Sequence, residues 1–519
     1  MNDSSWCCSA RRSARLPFRT CLAAGSVLVW GSIAEAQTTR PVQPQTEAAP
    51  DTKPEAPLPP LPAEPKKEPI APVTSRWQAL FYGFVEFDGM YDTTQSFSDS
   101  PGNTPVLRSD GSTPAYLPLG TDPPKGISYA STHGRVQATA RNTRFGFKLT
   151  PPEYAGIKSS GTVEVDFFGN QPTAPYGFTS PTSEGSFFTS AALRLRHAYL
   201  KVETEVVDVL LGQYYNLFGW QPYFFPGTLS FLGTPNMVFG RTPQVRLSKI
   251  IKTDPINVEL AAAALRPPQR DSAYPSFEGG VRLEINHWKG PHGRGSGQPT
   301  LDGAGIGVSA TRRWFRVIEF ANNRADLTFG TDVAEAGGYG VSFDGFLPII
   351  PARDLENRSL SLVLTGSWVK GAGTADLYTG GLTGGVQFPL PAGPNGPNTG
   401  IYGSNIDPGI VQFDLAGNLR VLNWQSAMAG FQLYLPPGGK LVLTGNYTRG
   451  KSDNIGQSAP EGGDPSRTFK VAEYYDGNVF VDITAAVRAG ASFQYVRQRY
   501  VDGGIEQNKR IEVGGLFFF

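Results

Sequence analysis

Any chemistry in this chain rests first on its arginines. Arg144 and Lys148 alternate with Phe145, Phe147 and Leu149, and Arg194 and Arg196 alternate with Leu193 and Leu195. Arg246 opposes Val245 and Leu247, Arg282 opposes Val281, Leu283 and Ile285, and Arg241 ends an aromatic-rich segment. A guanidinium is a planar fork that receives carboxylate or phosphate through two hydrogen bonds, and a row of them can hand an anion onward. Glu86, Asp88, Glu164, Asp166 and Glu284 occur in the same alternating settings, so the arginines could instead pair with these acids across a shared space. Such a pair at ~4 Å and effective dielectric ~20 attracts by ~4 kcal/mol before desolvation is subtracted. Both uses stay open at this point.

Other chemistry finds little support. The four histidines, His133, His197, His287 and His292, lie far apart, and none stands in a metal-ligand spacing. His197 and His287 fall on or beside apolar faces, where an interfacial ring is the simpler reading. Gly303-Ala304-Gly305-Ile306-Gly307 has the glycines of a phosphate loop but alternates as a small-residue strand. No segment supplies a serine, histidine and acid grouping. The expectation is therefore a protein that is not an enzyme and needs no metal or cofactor. With 46 Lys+Arg against 45 Asp+Glu, the balance also argues against a nucleic-acid partner.

The elements that must position these residues read as β-strands. Phe81, Gly83, Val85, Phe87, Gly89 and Tyr91 share one face, with Glu86, Asp88 and Asp92 on the other. Ile157, Gly161, Val163, Val165 and Phe167 oppose Lys158, Thr162, Glu164 and Asp166. Leu360, Leu362, Leu364, Gly366 and Trp368 oppose Ser359, Ser361, Thr365 and Ser367. Successive side chains of a strand point to opposite faces, so each segment has one apolar and one polar surface. A soluble sandwich would show the same period, and connection lengths separate the two. Residues 93–134, 169–189, 217–240, 371–417 and 450–468 are long connections. Thr150-Pro151-Pro152, Lys252-Thr253-Asp254-Pro255 and Pro436-Pro437-Gly438-Gly439 are turn-like. Long loops at one end and short turns at the other predict a transmembrane antiparallel β-barrel of about sixteen strands. Lys289 to Asp302 departs from that rule.

The two ends of the chain agree with export to a membrane. Arg11, Arg12, Arg15 and Arg19 precede an uncharged apolar stretch from Thr20 to Ile33, and Ala34-Glu35-Ala36 has the small-x-small pattern of a cleavage site. Residues 1–36 read as a signal peptide that would carry away Cys7, Cys8 and Cys21, the only cysteines. Residues 37–76 form a proline-rich linker, extended rather than packed. The barrel domain is 77–519. By subtraction from the whole-chain +1, four Arg against Asp3 and Glu35 give 1–36 a net +2, and four cations against five acids give 37–75 a net −1, so the remainder from Arg76 to Phe519 is 0. Ile511, Val513, Gly515, Phe517 and Phe519 share one face of the last strand, opposite Arg510, Glu512 and Gly514. A closing strand ending in Phe519 resembles the signal read by the barrel-assembly machinery.

Sixteen strands would enclose a lumen wide enough for water. The segment from Tyr214 to Pro226 follows the fifth strand and is too aromatic for a solvated loop, so 217–240 is expected to fold inward as a constriction loop. Covering a subunit interface is its other reading.

Several separated motifs resemble the DcaP-like porins of Gram-negative outer membranes. They are Phe81-Tyr82-Gly83-Phe84-Val85-Glu86-Phe87-Asp88, Thr143-Arg144-Phe145-Gly146-Phe147, Leu195-Arg196-His197-Ala198-Tyr199, Gly212-Gln213-Tyr214, Glu473-Tyr474-Tyr475-Asp476-Gly477-Asn478 and the closing strand. The resemblance covers most of 77–519. It implies a sixteen-stranded trimeric outer-membrane porin passing small organic anions, notably dicarboxylates, while the barrel reading itself puts both termini in the periplasm. Members of that family can begin with a coiled coil, whereas 37–75 is proline-rich. The pore-lining residues expected from strand parity are Arg144, Lys148, Arg194, Arg196, Arg241, Arg246 and Arg282, with Glu86, Asp88, Glu164 and Asp166 as lumen acids. A competing reading is a barrel that tethers the membrane to the cell wall through its proline-rich segment.

Overall fold

The structure, a computed structural model, describes residues 77–97, 105–109, 129–169, 191–230, 232–269, 272–318, 333–379, 382, 392–393, 396–397, 409–413, 418–457, 465–466 and 468–519. The expected signal peptide at 1–36 and the proline-rich linker at 37–76 lie outside these residues.

Period-two alternation becomes strand nearly everywhere it was read. The strands are β1 (Gln78–Asp92), β2 in two pieces (Arg135–Thr139 and Arg144–Thr150), β3 (Lys158–Gly169), β4 (Ala192–Glu203), β5 (Asp208–Tyr215), β6 (Arg241–Lys252), β7 (Ile256–Leu265) and β8 (Ser276–His292). They continue as β9 (Thr300–Ile318), β10 (Val333–Ile350), β11 (Leu362–Ala372), β12 (Asn423–Leu435), β13 (Leu441–Ser452), β14 (Phe469–Asp482), β15 (Val487–Tyr500) and β16 (Ile505–Phe518). Both pieces of β2 pair with β1, so the seventeen strand segments of the sheet make sixteen staves. Every neighbour is antiparallel, and β1 also pairs with β16, from Phe84 opposite Phe518 to Asp92 opposite Arg510. Closure leaves no unpaired edge, which is what a sheet surrounded by lipid requires.

The two faces differ as the sequence predicts. Phe81, Val85, Phe87, Tyr91, Phe343, Trp368, Phe431, Phe493, Val513 and Phe517 are exposed on the outer surface, while Glu86, Asp88, Asp92, Asp166, Arg510 and Glu512 are buried within. An apolar outer band around a polar interior is the arrangement of a membrane-spanning barrel. No helix among the described residues is long and apolar enough to cross a membrane. Phe519 stacks on Phe81 with centroids 5.2 Å apart. Its backbone exchanges two hydrogen bonds with Gly83, so the chain end is knitted to the first strand.

Three local readings need correction. Leu360 has φ +66° and lies in the turn before β11, not in the strand. His197 does not face lipid: β3 and β4 slip register so that Glu164 faces His197 while Val165 faces Leu195. The resulting bulge turns Arg196 and His197 inward together, and both are buried. The segment Lys289 to Asp302 is no simple turn, because 289–292 and 300–302 continue the β8–β9 ladder beyond a second register break at Gly303/Ala304. Gly303 to Gly307 lies within β9, as its alternation suggests.

Candidate functional site

The sheet brings the seven basic residues onto four alternate strands of one wall: Arg144 and Lys148 on β2, Arg194 and Arg196 on β4, Arg241 and Arg246 on β6, and Arg282 on β8. Between the first two strands, β3 supplies Glu164 and Asp166. Their pairing is with the adjacent strand, not across the lumen. Arg194 grips Asp166 with both ends of its fork, Nε to Oδ1 at 2.9 Å and Nη2 to Oδ2 at 2.6 Å. Arg196 bridges both acids, Nε to Glu164 Oε1 at 2.7 Å and Nη1 to Asp166 Oδ2 at 2.9 Å, and is only 2% exposed. Arg144 stands 3.7 Å from Glu164 and lies over the Phe84 ring, with its side chain 22% exposed.

Arg241 differs from these. Its guanidinium sits over the Tyr215 and Phe239 rings at 5.9 and 5.1 Å, and its Nη1 is buried without a hydrogen-bond partner. Among the described residues it has no carboxylate partner, and the guanidiniums within electrostatic range are those of Arg196, Arg194 and Arg144. Glu164 and Asp166 compensate two of the four guanidiniums and Glu86 lies within electrostatic range of Arg144, so the group keeps an excess of positive charge. Arg246 is also without an ion pair among the described residues. It donates to Gln244 Oε1 at 3.0 Å and to the Tyr215 carbonyl, and lies over Tyr214. Arg282, by contrast, is fully committed, to Glu259 at 2.8 Å and Glu284 at 3.0 Å. Lys148 is exposed at the short-turn end.

Parity did not reveal the aromatic partners. Tyr199, Tyr214, Tyr215 and Phe239 follow one another with centroids 4.9 to 5.7 Å apart, and His197 packs on Tyr215 at 4.6 Å. Tyr214, Tyr215 and Phe239 each offer a ring face to a guanidinium, while Tyr82 donates to Glu164 at 3.2 Å and Arg196 donates to Tyr215 at 3.4 Å. Arg282 lies 3.8 Å from the centroid of Tyr223, whose hydroxyl burial pushes above its ordinary pKa. The signal in the sequence was present in Tyr214-Tyr215, but not their partners.

Glu86 and Asp88 lie on β1, and Glu86 is within electrostatic range of Arg144. Glu86 accepts from the Asn142 amide, and both acids are wholly buried. The segment between β5 and β6 packs against the inner wall. Leu217 and Phe218 donate their backbone N–H groups to Glu278 Oε2 on β8 at 2.7 and 2.9 Å, and Trp220 Nε1 donates to the Val308 carbonyl on β9. Further on, Thr228 Oγ1 donates to Asp476 and the Leu229 N–H to Asn478, both on β14. Thr444 and Asn446 of β13 donate to the Gly227 carbonyl. Backbone polar groups away from water need partners, and here inward-facing side chains of the wall supply them. No group of three or more histidine, cysteine or acidic side chains suited to a metal exists among the described residues.

No family model matches the sequence, and no curated protein matches it. Among solved structures, the outer-membrane channel DcaP of Acinetobacter baumannii aligns with a TM-score of 0.55 at 16% identity, covering 85% of this chain and 97% of that one. An anion-selective porin from Comamonas acidovorans aligns at 0.44 and 9% identity, over 85% and 100% of the two chains. A loop-deletion mutant of OmpT, an outer-membrane protein of Vibrio cholerae, aligns at 0.42 and 11%, over 86% and 100%. The likeness to DcaP is one of fold, and it accords with the DcaP-like motifs of the sequence.

Proposed function

We propose that the chain is an outer-membrane porin, a diffusion channel for small hydrophilic solutes that favours organic anions such as dicarboxylates. The observation that carries the reading is Arg241, a half-buried guanidinium on the inner wall with no carboxylate partner and three other arginines in range. A passing carboxylate supplies what the wall withholds. Arg144 and Arg194, with side chains 22% and 29% exposed, extend that surface towards solvent. The segment 217–240 narrows the lumen, since it bonds to wall residues on opposite sides. Solute flow down its gradient needs no catalysis and no cofactor.

In the same reading, residues 1–36 direct export, the barrel-assembly machinery recognises the strand ending at Phe519, and the linker and both barrel termini face the periplasm. Three copies assemble through the apolar outer band. The test is planar-bilayer recording in a KCl gradient, with mono- and dicarboxylates as blockers. An anion-side reversal potential and stronger block by dicarboxylates are expected. Negligible conductance would instead favour a tether acting through the proline-rich segment.

A further inference from the structure

From Arg76 onward the chain carries no net charge, yet the barrel's inner surface is not uniform. The four-arginine group lies on β2, β4 and β6, while Glu86, Asp476 and Glu512 lie on β1, β14 and β16. These three acids are hydrogen-bonded by neutral groups. Asn142 donates to Glu86, Gln494 to Glu512, and Thr228, Tyr474, Asn446 and Asn478 to Asp476. Arg510, the nearby cation, is held bidentately by Asp92 at 2.7 and 2.9 Å. An acidic wall open to water would attract cations and cancel the preference set by the arginines. It is not open: Glu86, Asp88 and Glu512 are each 0% exposed.

Two segments cover it, and one comes from the end that should carry only short turns. Past the register break, Asn286, His287 and Trp288 have no ladder partner, and the hairpin 289–302 leaves the wall. It then crosses the lumen. Gly293 exchanges hydrogen bonds with Gln432 on β12 at 2.9 and 2.8 Å. Arg488 on β15 donates to the Ser296 and Gly297 carbonyls. On the way it meets the loop from the other end. Gly295 pairs with Gly227, and the buried His292 bonds Asp302 and the Phe225 carbonyl at 2.8 Å each while stacking on Phe346. Arg488 is itself braced by Asp482, which Arg358 also holds.

We propose that the hairpin 289–302 is a fixed plug that, with 217–240, seals the acidic half of the lumen. Conduction is confined to the arginine wall, and a barrel with no overall excess of positive charge becomes anion-selective. The inference rests on the reading of the chain as an anion channel.

The test compares bilayer recordings of the full-length protein with a variant in which 291–301 is replaced by Asn-Gly, which closes Gly290 to Asp302 by a two-residue turn. The expected result is a rise in conductance and a shift of reversal potential towards cations. Glu512→Gln with Glu86→Gln should reverse that shift in the shortened variant and leave the intact protein unchanged. Unaltered conductance and reversal potential after excision would overturn the plug. A shift on neutralising the two acids in the intact protein would overturn the sealing. If the shortened variant does not assemble, Arg488→Gln in the full chain must produce excursions to a higher conductance level; steady wild-type currents would overturn the proposal. A full-length protein with no anion preference defeats the proposed function instead, while a conductance rise on excision still reports the plug.

Discussion

Replacing Arg241 by Ala tests the site where the structure makes it most exposed to refutation. The side chain has no carboxylate partner among the described residues, so its removal leaves no orphaned acid. A carboxylate passing at about 4 Å gains about 1 kcal/mol from one guanidinium if the dielectric is that of water, and about 4 kcal/mol at an effective value of 20. The lower figure suits a half-buried group beside a water path, and it corresponds to about a fivefold change in anion occupancy. Reversal potentials in KCl gradients should therefore move towards cations in the Arg241→Ala protein, while Arg241→Lys, which keeps the charge, stays near wild type. The Debye length falls from about 10 Å at 0.1 M to about 3 Å at 1 M salt, so the shift should shrink as ionic strength rises. An unchanged reversal potential at low salt, or a shift that salt does not diminish, would refute the electrostatic account. Arg196→Ala is a poor substitute for this experiment. It strips Glu164 and Asp166 of a shared buried partner, a loss of about 3–5 kcal/mol, and should lower barrel stability rather than report selectivity alone.

Four further outcomes follow from named contacts. Trp220→Ala removes a 1%-exposed ring from its seat against β8 and β9, at a cost of about 3–5 kcal/mol; single-channel current should become noisier and larger while the barrel still assembles. Gly146→Ala places a Cβ 2.2 Å from the Tyr82 ring, so the ring must swing and its hydroxyl leaves Glu164; a smaller cation-ward shift than that of Arg241→Ala is expected in the same recordings. Deleting Phe519 removes both backbone bonds to Gly83 and the stacking on Phe81, and should reduce the heat-modifiable folded band on a denaturing gel. In the turn before β11, hydrogen bonds from the Asn357 amide, then from backbone N–H groups, hold the Asp354 carboxyl below its ordinary value. Its support of that turn is complete above the ordinary carboxyl range of about pH 4 and is lost as pH falls through the lowered value, which amide exchange at Glu356 and Asn357 would follow.

Strand existence and facing were legible because the pleat repeats every two residues and lipid enforces it. The outward residues of β1 and β16 are those that alternation names, and all seven basic residues land on one continuous wall. Legibility ended where the period breaks. The bulge at Arg196 and His197 leaves no composition mark, so a histidine read as facing lipid is buried among tyrosines. The inward hairpin was visible only as an overlong turn, because Gly-Arg-Gly-Ser-Gly serves a solvated loop as well as a strap threaded through a lumen. Hydrogen-bond partners across a barrel depend on which strands face each other, and a single sequence does not carry that register. Thus the pairing of Gly293 with Gln432, or of Thr228 with Asp476, could not be anticipated.

The two readings of the arginines, wall pairing and anion ladder, turn out to depend on each other. Arg194 and Arg196 pair, and in doing so they hold Glu164 and Asp166 against the sheet, so that of the four guanidiniums Arg241 alone has no carboxylate within ion-pair distance among the described residues. Arg196 also reaches the Tyr215 hydroxyl, and the Tyr215 ring underlies Arg241. An unpaired arginine is flexible and well hydrated unless something fixes it; here Tyr215 and Phe239 provide a floor whose position the paired arginine helps set. A bare row of cations would repel itself and draw in the nearest carboxylates, whereas a row anchored by saturated pairs keeps its free member oriented. It follows that charge counting, over the chain or over the barrel, is blind to selectivity in this fold. What decides it is which charges are already satisfied by the sheet and which are left facing water.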